Sequence, residues 1–149
     1  MSWTRLTLPE AAPATYAALH QVEAAIANSG LERSLIELVK MRASQINGCA
    51  FCLDIHARDA RAGGETEQRL YVLSGWHEST LYTAREQAAL AWTDHLTRVA
   101  DKGAPDDLFA AVRAQFTESE IGNLTVLVGM INLWNRIAIG FAMRPPRRA

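Results

Sequence analysis

Two cysteines three residues apart, Cys49 and Cys52, are followed four residues later by His56 in the stretch NGCAFCLDIH. They are the only cysteines in the chain. On a helix these positions share one face. The first turn of a helix carries unpaired backbone N–H groups and the positive end of the dipole, so it favours thiolate over thiol. A thiolate is a nucleophile and a reductant, and a pair of them can cycle between dithiol and disulfide. His56, one turn beyond Cys52, is placed to take or return the thiol proton, and a histidine in that role needs a partner to hold its tautomer. Glu37 is the candidate, because a tight Asn47-Gly48 turn folds its helix back beside the next one. The competing reading makes Glu37 a surface residue paired with Arg33 or Lys40 at helical spacing.

Two other uses of the cysteines compete with redox chemistry. A zinc site needs four ligands, which means Cys49, Cys52, His56 and one more, for example His77 or His95. Structural zinc usually draws on two knuckles, and the chain has no second Cys pair, so no metal and no cofactor is assigned. A structural staple requires an oxidising compartment. The N-terminus shows no basic region followed by an apolar run, which makes the cytoplasm the expected location and weakens the staple.

The elements that must position these groups read as helices throughout, rich in Ala, Leu, Glu, Arg and Gln, with little β-branched alternation. Seven segments emerge: about 10–29, 32–46, 49–62, 65–73, 83–100, one beginning at Pro105, and a long final helix. Thr83 with Glu86, and Thr117 with Glu120, are capping boxes that open the fifth and the last. SGWHEST, with Trp76 and His77, reads as a loop that either lines the mouth of the site or covers the bundle end. The fold class expected is therefore all-α, a bundle of about six to seven helices in a single domain over 1–149. A chain of 149 residues with 49% apolar content can bury a real core in one domain.

A net charge of −1 gives no basic field to hold nucleic acid. The apolar run LTVLVGMINLWNRIAIGFAM carries Asn132, Asn135 and Arg136 in its middle, which makes membrane insertion costly. It reads instead as a helix buried on all sides, either wrapped by the others or completed by a second subunit. Its two asparagines must find hydrogen-bond partners if buried. The basic tail RPPRRA reads as a solvated end.

Taken together, ELVKMRASQINGCAFCLDIH resembles the core motif of the AhpD-like alkylhydroperoxidase family, within the wider carboxymuconolactone decarboxylase group. The family pattern is a Glu, twelve residues on a Cys, then x-x-Cys, then x-x-x-His; here these are Glu37, Cys49, Cys52 and His56. NLWNRIAIGF, from Asn132 to Phe141, resembles the short, single-domain members. The resemblance implies an all-α homo-oligomer, trimer or hexamer, that reduces a hydroperoxide substrate. It implies that Cys52 meets the peroxide, Cys49 resolves it, and Glu37 with His56 relays protons. It also implies a reductant, a lipoylated protein or a small thiol system. Better-studied members carry a histidine just before the second cysteine. This chain has Phe51 there, whose ring cannot relay a proton. Two further classes remain: a lactone-type decarboxylase of the same group, which does not rely on a Cys pair, and a non-catalytic oligomeric or zinc-binding module.

Overall fold

The computed structural model describes residues 4–149 and contains helices and no strand among them. The helices are α1 (Leu8–Ala11), α2 (Pro13–Ala27), α3 (Arg33–Asn47), α4 (Ala50–Ala62) and α5 (Glu67–Tyr71), then a 3-10 helix (Leu73–Glu78). There follow α6 (Ala84–Thr97), α7 (Val99–Lys102), α8 (Asp106–Arg113) and α9 (Glu118–Gly140). The helical class is as expected, but the count of six to seven is wrong: ten helices are present among the described residues. Three short elements make up the difference. Pro13 fixes φ and lacks an N–H, so the first segment breaks at Ala12 (φ −146°, ψ 69°) into α1 and α2. The expected fifth helix breaks at Arg98 (φ −109°, ψ 39°), which separates α6 from α7. SGWHEST is no plain loop: Leu73 and Trp76 are buried and wind the chain into a 3-10 helix against the core.

α3 is the centre of the molecule and packs against α4, α6 and α9. Leu35, Leu38, Val39 and Ala43 are 0–1% exposed, so α3 is closed in on more than one side. One side joins Ile26, Ala89, Val112, Leu124, Leu127 and Val128 in the larger core. The other joins Leu70, Leu73, Trp76, Tyr82 and Leu90. At roughly 1.5–3 kcal/mol for each fully buried leucine-sized side chain, these clusters are the main stabilising term. Both capping boxes form, Thr83 with Glu86 and Thr117 with Glu120.

α9 differs from the all-round burial expected of it. Leu124, Leu127, Ile131 and Asn135 face inward at 0–1% exposure, whereas Val126 and Ile139 are about half exposed, at 48% and 51%. No described helix is long and apolar enough to cross a membrane.

Candidate active site

α3 ends on Gly48, which adopts φ 67°, ψ 35°, the left-handed conformation that glycine takes without steric penalty. The Cys49 N–H returns to Ser44 O at 3.0 Å and the Gly48 N–H to Gln45 O at 3.3 Å, closing a Schellman turn. Cys49 therefore falls at the N-cap of α4 rather than within it. Its Sγ accepts from the Cys52 backbone N–H at 3.4 Å. Cys52 lies in the first turn of α4. The two cysteines are joined as a disulfide with Cα atoms 5.3 Å apart, an ordinary spacing for such a bond.

The same hairpin brings α4 back along α3, and His56 Nδ1 meets Glu37 Oε2 at 3.1 Å. The side chains are 15% and 10% exposed, which shields the contact from water and strengthens it. Glu37 does not pair with Arg33 or Lys40; Lys40 instead binds Glu23 at 3.1 Å. The two lines of sequence reasoning thus separate in favour of the histidine.

A third carboxylate joins them. Ligand atoms of Glu37, His56 and Asp59 lie within 4.8 Å of one another, the one such group of three among the described residues. This is where a cation would find donors, and it includes neither cysteine. His95 Nδ1 lies 3.2 Å from Gly103 O. His77 stacks on Trp76 with ring centroids 3.6 Å apart and faces Asp94. Neither joins the cysteines, so the four zinc ligands considered from sequence are not assembled.

Behind the cysteine turn sits a buried amide network. Asn47 Nδ2 donates to Asn132 Oδ1 and Asn135 Oδ1, each at 2.9 Å. Asn135 Nδ2 donates to Ser44 Oγ at 3.0 Å, and Asn132 Nδ2 to Thr97 Oγ1 at 3.1 Å. The asparagines of α9 were legible as residues needing partners; Asn47 and Ser44 as those partners were not. Their function is to fix the end of α3, and so the Gly48–Cys49 turn, against α9. The cysteines themselves have apolar neighbours. Cys49, Cys52 and Ala138 form a small buried cluster with Phe51 and Met143 packed against it.

The α3–α4 hairpin of this all-helical bundle thus carries both a buried cysteine pair and a carboxylate–imidazole pair. Residues 10–95 match the carboxymuconolactone decarboxylase family, and the chain belongs to that family. It is 41% identical over 140 residues to the uncharacterised protein YdfG of Bacillus subtilis, covering 94% of this chain and 95% of that one. A solved structure from Agrobacterium tumefaciens, of a protein of unknown function described as a candidate antioxidant defence protein AhpD, matches with a TM-score of 0.93. It is 46% identical and the match covers 97% of this chain and 99% of that one. A shorter match of 45 residues, 40% identical, links 30% of this chain to 25% of the alkyl hydroperoxide reductase AhpD of Bradyrhizobium diazoefficiens. The family expected from residues 37–56 is therefore the right one.

Proposed function

We propose that the protein is a thiol-dependent peroxidase that reduces hydroperoxides through a Cys49/Cys52 dithiol–disulfide cycle. The observation that supports this best is the 3.1 Å contact between His56 Nδ1 and Glu37 Oε2, on the same α3–α4 hairpin as the cysteine turn. Glu37 holds the imidazole with Nδ1 protonated and leaves Nε2 as the base.

In the reduced protein His56 takes the Cys52 proton. The Cys52 thiolate attacks the terminal oxygen of ROOH; the O–O bond breaks and the alkoxide leaves with the proton from His56 as ROH. Cys52 is then a sulfenic acid. Cys49 attacks its sulfur, expelling water and forming the disulfide. A dithiol reductant, a lipoyl group or small thiol, returns two electrons and two protons by exchange. The order of the cysteines follows the resemblance. Phe51 supplies no proton, so the relay consists of Glu37, His56 and water.

Treating the reduced protein with an organic hydroperoxide and counting free thiols tests this reading. Both thiols are lost in the parent, and a sulfenic acid is trapped in Cys49→Ser but not in Cys52→Ser. A parent that keeps both thiols through a large excess of peroxide ends the proposal. A homo-oligomer belongs to the same reading, supported by the half-exposed Val126 and Ile139 on α9. Light scattering of the purified protein gives its mass in solution.

A further inference from the structure

A disulfide that must meet a peroxide and then a reductant is nearly closed off here: Cys49 is 1% exposed and Cys52 4%. Three apolar side chains pack with the pair. Ala138 is fixed in α9, and Phe51 sits in the first turn of α4 between the cysteines. Met143 differs from both, because it lies past the end of α9 in the C-terminal segment.

That segment is tied at two points. At its root the Met143 N–H donates to Ala138 O at 2.9 Å. Farther on, Arg148 makes a two-pronged ion pair with Asp54, which stands on α4 two residues beyond Cys52. Residues 144–149 are otherwise exposed.

The second tie is built to release. The Arg148 side chain is 43% exposed, and an ion pair open to water is weak and screened by salt. Ala142, at the root, has φ 56°, a left-handed conformation that costs an alanine free energy and persists only while its surroundings impose it. Pro145 and Pro146 stiffen the span between the ties, so loss of the Arg148 anchor is transmitted toward Met143 rather than absorbed.

We infer that residues 142–149 form a strap that gates the cysteine pair. With Arg148 on Asp54 it seats Met143 against the cluster that holds the cysteine pair, and on release it opens the pair to a thiol reductant. The inference takes its purpose from the thiol chemistry proposed above, but its test does not use peroxide. Full-length oxidised protein is reduced with dithiothreitol, and free thiols are counted over time. Asp54→Asn and Arg148→Gln each speed reduction about two- to five-fold, the scale of an exposed ion pair. Met143→Ala speeds it at least as much.

Raising salt toward about 1 M accelerates the parent and leaves the two ion-pair variants unchanged. The swapped pair, Asp54→Arg with Arg148→Asp, restores the slow parental rate. Unchanged rates in both single variants overturn the strap. So does an acceleration that follows a fall in Tm and is not reversed by the swap, since that is general loosening. A protein that passes these measurements yet ignores peroxide keeps the gate and loses the peroxidase, and the reverse result separates them equally well.

Discussion

Glu37 is a carboxylate with 10% of its side chain exposed, and its hydrogen-bond partner among the described residues is one imidazole nitrogen. In the mechanism proposed above, such a residue acts through His56 rather than on the substrate. Glu37→Gln keeps the shape and can still accept from Nδ1–H, but it removes the charge that stabilises the imidazolium formed when His56 takes the thiol proton. Thiol oxidation by hydroperoxide at neutral pH is expected to slow roughly ten-fold or more, a part of the roughly 10²- to 10⁴-fold that acid–base assistance contributes. The far-UV spectrum and Tm should change little. An unchanged oxidation rate would remove Glu37 from the relay. This residue was legible as one of two open readings, because its distance from Cys49 spans one hairpin of helices and brings it opposite His56. Asp59 was not: three residues after His56, it looks like any carboxylate on a solvated helix face. Only the fold shows its ligand atoms within 4.8 Å of both Glu37 and His56.

Between residue and fold stands the α3–turn–α4 hairpin, and it depends on two positions. An added Cβ at Gly48 would meet nothing within 4 Å, so Gly48→Ala costs only backbone strain at φ 67°. That strain, less the entropy alanine removes from the unfolded chain, leaves about 1 kcal/mol of destabilisation by denaturant unfolding. Asn47→Ala is the heavier change. It strips a donor shared by Asn132 and Asn135, both nine-tenths buried or more. The expected loss is about 1–3 kcal/mol for the acceptors left short of partners. A loss below about 0.5 kcal/mol would mean that water replaces Asn47 without penalty. The main helices and both capping boxes could be read from sequence because their signals are local. The breaks at Ala12 and Arg98 and the 3-10 helix could not. Pro13 reads equally well as the start of one helix or the border of two. Trp76 winds its segment because of a distant contact: its indole Nε1–H donates to Asp94 Oδ2 of α6 at 3.2 Å.

At the scale of the whole molecule, short elements are tied together by arginines that each hold two acids. Arg69 of α5 binds Glu65 at 2.7 Å and Glu86 of α6 at 2.8 Å. Arg85 of α6 binds Glu32 at 2.8 Å and Glu120 of α9 at 2.9 Å. Burial by itself pushes the Glu86 carboxyl up, but the hydrogen bonds from Arg69 and from the Thr83 backbone N–H outweigh it and hold Glu86 below its ordinary value of 4.5. Glu120 is held down in the same sense by Arg85 and the Thr117 backbone N–H. A carboxylate whose folded value lies below its unfolded one stabilises the fold fully above the unfolded value. It loses that contribution as pH falls through the folded value. Tm is therefore expected to be flat with respect to these two acids from neutral pH down to about 5, and to fall below about 4.5 as protons compete with Arg69 and Arg85. Glu86→Gln should lower Tm at pH 7 and flatten the acid limb, so that its curve converges with the parent's once the pH has fallen through the folded value of Glu86. Two curves that instead run parallel through the acid range would show that the Arg69–Glu86 tie carries none of the pH dependence. The burden would then fall on Glu120, whose own Gln variant gives the deciding curve.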